Sequence, residues 1–104
     1  MPLRNGVSRS SKPRTQNVAD RGFTATLSPS IVAANTTAEQ TFTVAGLVTA
    51  DAVIVNKPTA QAGLGIVGAR VSAADTLAIT FSNNTGSGIT PTASEVYKVI
   101  AFRS

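Results

Sequence analysis

These 104 residues predict an all-β fold, an antiparallel β-sandwich or jelly-roll-like module entered through an extended N-terminal arm. Three observations carry that expectation. Beyond residue 22, short apolar segments rich in Val, Ile, Thr and Phe are interrupted by Gly, Pro, Asn or Asp roughly every eight to twelve residues, the spacing of a sandwich or barrel. No segment keeps a helical apolar period beyond one turn. The charge is also segregated. Arg4, Arg9, Lys12, Arg14 and Arg21 against Asp20 place the whole net charge of +4 in the first 21 residues. Lys57, Arg70, Lys98 and Arg103 against Glu39, Asp51, Asp75 and Glu95 leave the remainder neutral.

Residues 1–22 hold Pro, Ser, Arg, Lys, Asn and Gln, with Leu3, Val7 and Val18 as the large apolar groups. Neither a period of 3.6 nor one of 2 holds there, which predicts an extended basic arm without a core of its own. The body, 23–104, is read as one domain with strands at 23–27, 30–33, 40–45, 52–56, 65–72, 76–82 and 96–103. Breaks fall at Ser28-Pro29, Asn35-Thr36-Thr37, Gly46, Lys57-Pro58 and Ala62-Gly63. The long 83–94 connection, with Asn83, Asn84, Thr85, Gly86, Ser87 and Gly88 at its start, is expected to form the exposed tip.

In the sixth of these strands Leu77, Ile79 and Phe81 alternate with Thr76, Ala78, Thr80 and Ser82, so one face is apolar and the other polar. Ala52-Val53-Ile54-Val55 and Val99-Ile100-Ala101-Phe102 instead are apolar on both faces. A strand covered on both sides needs an outer cover. The candidates are the arm folded back or a neighbouring copy of the chain, and a body of about eighty residues, which buries only about 60% of its unfolded surface, favours self-association over valines simply left exposed.

The same composition argues against several functions. Cys and His are absent and only five acids are present, so thiolate and imidazole metal sites are excluded and acid/base catalysis is poorly served. No enzyme and no cofactor is expected. Gly63-Leu64-Gly65-Ile66-Val67-Gly68 matches the dinucleotide pattern, but it leads into another strand rather than a helix, and no acid stands about twenty residues on. A turn at Gly63, and close approach by something bulky at Gly65 and Gly68, suit those glycines better. Ser72-Ala73-Ala74-Asp75 reads as a tight hairpin with Asp75 bonding turn amides. Thr36-Thr37-Ala38-Glu39 has capping-box spacing, yet the period-two pattern that follows makes it a loop entering a strand. The two Asn-x-Thr matches, at Asn35 and Asn83, are of a kind common by chance.

A serine nucleophile would have only Lys57 or Lys98 in the body as base, and neither stands in a Ser-x-x-Lys arrangement. Nucleic acid is disfavoured as partner. Arg9-Ser10-Ser11-Lys12-Pro13-Arg14 could touch phosphates, but Phe23, Phe42, Phe81, Tyr97 and Phe102 sit mostly at core-facing positions rather than in a basic stacking groove. The apolar runs at 52–55 and 99–102 are far too short to span a bilayer, and the N-terminus lacks a stretch of signal-peptide length, so no membrane role is expected.

The run from Ala60-Gln61-Ala62-Gly63-Leu64-Gly65-Ile66-Val67-Gly68-Ala69-Arg70-Val71 through Ser72-Ala73-Ala74-Asp75-Thr76-Leu77-Ala78-Ile79-Thr80-Phe81, with Ile89-Thr90-Pro91-Thr92 after it, resembles small structural proteins of tailed bacteriophages. The likeness is to the β-sandwich decoration, or cement, proteins of their icosahedral heads, and more loosely to short fibre or spike modules. It covers residues 28–103 and leaves the arm outside. The resemblance implies a virion protein on the outer surface of the capsid, a homotrimeric knob clamping the major capsid protein, with no catalytic residues. Arg4, Arg9, Lys12, Arg14 and Arg21 are then the expected attachment residues, through charge complementarity and strand addition. The alternative is a tail fibre or spike module that binds a host surface carbohydrate through its Asn and Thr loops.

Overall fold

The computed structural model describes residues 19–103. Six strands follow one another: β1 (Ala19–Leu27), β2 (Thr36–Thr43), β3 (Ala52–Asn56), β4 (Leu64–Ala73), β5 (Thr76–Asn83) and β6 (Glu95–Arg103). They form two antiparallel three-stranded sheets, ordered β1-β6-β3 and β2-β5-β4. The all-β class read from the sequence is therefore the observed one. Among the described residues the only hairpin between consecutive strands is β4–β5, where Ala73 pairs with Thr76 around Ala74 and Asp75. Every other pairing closes a long loop, the first strand with the last above all.

Each sheet is organised around its middle strand. Leu77, Ile79 and Phe81 of β5 and Tyr97, Val99 and Ala101 of β6 are wholly buried, because strands with a neighbour on either side have no exposed flank. Leu27, Val32, Val44, Leu47 and Val71 complete the core, with Phe23, Phe42, Val53, Val55, Leu64 and Ile66 packed at its margin. Each large apolar side chain buried this way contributes about 1.5–3 kcal/mol.

The boundaries differ from the sequence expectation in instructive places. The strand expected at 52–56 has those bounds, and the fourth, fifth and sixth observed strands extend the expected ones by a residue or two. β1 begins at Ala19, so residues 19–22, assigned to the arm, are paired with β6 in an unbroken register from Ala19↔Arg103 to Leu27↔Glu95. Ala, Asp and Gly have weak β propensity, and the partner strand overrides it. β2 starts at Thr36, because the whole Thr36-Thr37-Ala38-Glu39 stretch pairs with β5. The strand expected at 30–33 reduces to one bridge, Val32 with Ile89, held by reciprocal backbone bonds of 2.8 and 3.0 Å. Buried Pro29 just before it has no N–H for a ladder, and Val32 plugs the core instead.

Asp75 fastens the β4–β5 turn to a different loop. At φ +59° it donates its N–H to Leu47 O (2.8 Å), and its carbonyl accepts from Val44 N (2.9 Å). Its carboxylate accepts from Gly46 N (2.8 Å). The amides it serves thus belong to the corner after β2, not to its own turn.

Candidate functional site

The inward alternation of β5 and β6 continues past the apolar core, so polar side chains end up at the mouths of the sandwich. At the mouth beside Ala19, Asp51 is buried and receives two arginines. Arg103 donates from Nε to Oδ1 (2.7 Å) and from Nη2 to Oδ2 (3.0 Å), and Arg21 donates from Nη2 to Oδ2 (2.7 Å). Val48 N adds a 3.1 Å bond. The Arg103 hydrogen bond holds the Asp51 carboxyl far below the usual carboxylate range, against the opposing pull of burial. Arg21 also donates to Gly46 O (3.2 Å) and lies 5.3 Å over the Phe23 ring. It was expected to be an attachment residue, but the structure makes it one arm of an internal clasp, turned inward because odd-numbered residues of β1 face the core. Arg4, Arg9, Lys12 and Arg14 lie outside the described residues.

At the opposite mouth Glu95 accepts from the Thr59 hydroxyl, and Lys57 Nζ stands 3.1 Å from its Oε1. The Thr59 hydrogen bond, then the Lys57 ammonium, hold the Glu95 carboxyl below its ordinary value. Lys57 also donates to Thr59 O (2.8 Å), so its ammonium is occupied locally. Beside it a cleft of about 230 Å³ opens between the sheets, lined chiefly by Val55, Lys57, Gln61, Leu64, Ile66 and Phe81. Tyr97 Oη is buried and meets no hydrogen-bond partner among the described residues; burial, with the Glu95 charge adding, pushes its phenol up to about 12.

The loop expected to be an exposed tip is only partly so. Asn83 is 1% exposed and sits inward at the end of β5, one alternation beyond Phe81. Its amide donates to Val32 O (3.0 Å) and Ser87 O (2.8 Å), and its Oδ1 accepts from Thr85 N (2.9 Å) and Thr85 Oγ1 (2.7 Å). Thr85 is half-buried; Asn84, Gly86, Ser87 and Gly88 are exposed. The loop is thus a fastened corner, since Asn35 N also binds Thr85 O and Asn84 N binds Gly63 O, each at 3.0 Å.

The glycine motif belongs to this corner and to β4. Gly63 has φ +81° and would drive a Cβ into the Thr85 methyl. Gly65, expected to mark a close approach, faces open space, and a Cβ on Gly68 would meet only Thr80 at 3.8 Å. Gly68 instead follows a register shift in the β4–β5 ladder. Strand continues where the dinucleotide fingerprint needs a helix N-terminus. Among the described residues no three of His, Cys, Asp and Glu come together.

The two outer faces differ in chemistry. The β2-β5-β4 sheet shows Thr37, Glu39, Thr41, Thr43, Thr80 and Arg70, with Val67 (63% exposed) at the register shift of its edge strand; the Arg70 guanidinium reaches Glu39 by two bonds of 2.8 and 3.0 Å across β5. The β1-β6-β3 sheet shows Val96 (48% exposed), Ile100 (43%) and Ile54 (57%), with Ala52 and half-buried Phe102 beside them. Ile54 and Ile100 are direct cross-strand partners, and Gly22 pairs with Ile100 on its other side. A hollow of about 320 Å³ lies over Gly22, bordered by Thr24, Lys98 and Ile100. The segments that are apolar on both faces in the sequence are therefore the ones that leave an apolar surface uncovered.

No protein-family model matches the chain, and no curated protein and no solved structure matches it either. The likeness to phage head proteins rests on the residues quoted for it.

Proposed function

We propose that this chain is a structural protein that decorates and reinforces a bacteriophage capsid, self-associated on the outer surface and anchored to the major capsid protein by residues 1–18. The observation that supports it best is the two-faced sandwich. One sheet turns Thr, Ser, an ion pair and, at its edge, Val67 to solvent, and the other groups Ile54, Ile100 and Val96 outward around Lys98. Apolar patches on a small soluble body mark interaction sites. The basic segment enters at Ala19, the first residue of that same sheet.

Arg4, Arg9, Lys12 and Arg14 carry +4 with no acid among residues 1–18, which suits a large acidic surface. Charge complementarity of this kind steers encounter and sets register. Several weak attachments on one oligomer add up to a tight hold. Arg21 drops out of the anchoring set, since Asp51 already holds it.

Deleting residues 1–18 leaves the Arg21–Asp51–Arg103 clasp intact. The shortened chain is expected to keep the thermal midpoint of the full one and to lose co-sedimentation with capsids; undiminished co-sedimentation refutes the anchoring role. Antibody labelling of whole particles tests location. Label spread over the head supports decoration, whereas label confined to the tail end replaces it with the fibre or spike module.

A further inference from the structure

Among the described residues the two sheets have four edge strands, β1 and β3 in one, β2 and β4 in the other. An open edge invites pairing with another chain, and β proteins blunt it with shortness, bulges, charges or a covering loop. Three of the four are blunted. β3 has five residues and runs into Lys57-Pro58. β4 has register shifts at Ile66/Gly68 and Val71/Ala73 and carries exposed Arg70. β2 carries Glu39, and the segment before it lies alongside, where Gln40 bonds Ser30 reciprocally at 2.8 and 2.9 Å. Among the described residues β1 is the least blunted: its two charges, Asp20 and Arg21, stand together at its start, and Arg21 is held by Asp51. The strand is nine residues long with an unbroken register, lacks Lys and Pro, and is uncharged from Gly22 to Leu27.

We propose that the open edge of β1 is a self-association surface, on which β1 of a second copy adds antiparallel about a two-fold axis at Phe23. Two-fold pairing places the same residues on both sides of the contact. Centring at residue 20 or 21 would set Asp20 against Asp20 or Arg21 against Arg21. Centring at Phe23 pairs all nine residues, sets Phe23 against Phe23, Gly22 against Thr24 and Arg21 against Ala25, and opposes no like charges. It also sets Asp20 of each copy opposite Thr26 of the other. Side chains on each face stay on that face, because directly opposed residues in an antiparallel ladder point the same way. The result is a continuous six-stranded sheet that joins the two apolar outer faces and puts Thr24 of one copy beside the hollow over Gly22 of the other. A second copy fits better than residues 1–18, because it brings nine Pro-free residues with the strand's own alternation, whereas residues 1–18 hold Pro2 and Pro13 and keep no period of two.

This deepens the self-association part of the proposed function and rests on that part alone. The test therefore uses the purified full chain without capsids, so its failure leaves anchoring by residues 1–18 untouched, and failure of anchoring leaves it untouched. Sedimentation equilibrium is expected to show a reversible monomer–dimer exchange below about 1 mM, enough to populate a complex of millimolar affinity. Thr26→Asp, at an exposed position, opposes like charges twice in each dimer and should raise the dissociation constant about fivefold, from cross-strand pair energies. Thr26→Lys should lower it by a similar factor, and Asp20→Lys combined with Thr26→Asp should restore it. Thermal midpoints at concentrations where all are monomeric should agree. A monomer throughout, a trimer, the same sign of effect for both Thr26 variants, or stronger association after deletion of residues 1–18 would each overturn the proposal.

Discussion

Asn83 is the residue whose loss the fold should feel most relative to its size. Its two donors and its acceptor oxygen are all engaged, joining β5 to the Val32 bridge and to the corner at Thr85–Ser87. Truncation to Ala deletes four hydrogen bonds worth about 0.5–1.5 kcal/mol each. Both carbonyls still find a donor, Val32 O in Ile89 N and Ser87 O in the Thr85 hydroxyl, whose single proton no longer goes to Asn83, whereas Thr85 N–H is left without that acceptor. The expected loss is then about 2–4 kcal/mol rather than the full sum. With a urea slope of about 1–1.5 kcal/mol/M for a body of this size, the midpoint should fall by roughly 1–4 M. Tyr97 is the only tyrosine, the chain has no tryptophan, and the ring is buried, so its fluorescence reports the core directly. Asn84→Ala, one residue on and exposed, should stay within about 0.5 kcal/mol. Asn83→Asp keeps the shape but turns a carboxylate toward Val32 O and Ser87 O; it should be destabilised at neutral pH and recover partly in acid, where a protonated acid can donate. If Asn83→Ala moved the midpoint no further than Asn84→Ala, the assignment of Asn83 as the fastener of this corner would be wrong.

Tyr97→Phe removes a buried hydroxyl that has no partner among the described residues, so stability at neutral pH should hold or rise by up to about 1 kcal/mol. The raised phenol value also favours the neutral form in the fold, so its contribution is complete below the ordinary value of 10.0 and lost as pH climbs toward about 12. Alkaline melts of the Phe variant should lack that part of the decline. Asp51, Glu39 and Glu95 are all held below their ordinary values, by Arg103, Arg70 and Thr59 respectively, so stability is complete above about pH 4.5 and drains as pH falls through the folded values. Asp51→Asn should flatten the acid limb and lower the thermal midpoint at neutral pH; an unchanged acid limb would remove Asp51 as its source. Gly63→Ala, at φ +81° and against the Thr85 methyl, should cost about 1–3 kcal/mol, read as a lower melting temperature.

The polar ends of the sandwich show where one-dimensional reading stops. The period-two rule that marks Leu77, Ile79 and Phe81 as core marks Asn83 one step further, and the same rule carries β6 from Tyr97 inward to Arg103 and Glu95. That signal was present for Asn83, but Asn and Gly-rich neighbours outweighed it, because turn chemistry and a buried amide draw on the same residue types. For Arg21 no local signal existed. Its neighbours Asp20 and Gly22 look like tail, and only the ladder to β6 together with Asp51, thirty positions away, turns it inward.

Alternation, β-branched content and turn residues are local properties, and they were enough to determine the all-β class, the positions of most strands, the core face of β5 and the split of charge between residues 1–21 and the rest. Which strands become neighbours depends on contacts between segments far apart in the chain. That is why the pairing of β1 with β6, the Asp51 clasp, the burial of Asn83 and the edge position of β1 among the described strands were settled by tertiary structure alone. An edge or a buried ion pair is defined by its partner, and no single segment carries its partner's address.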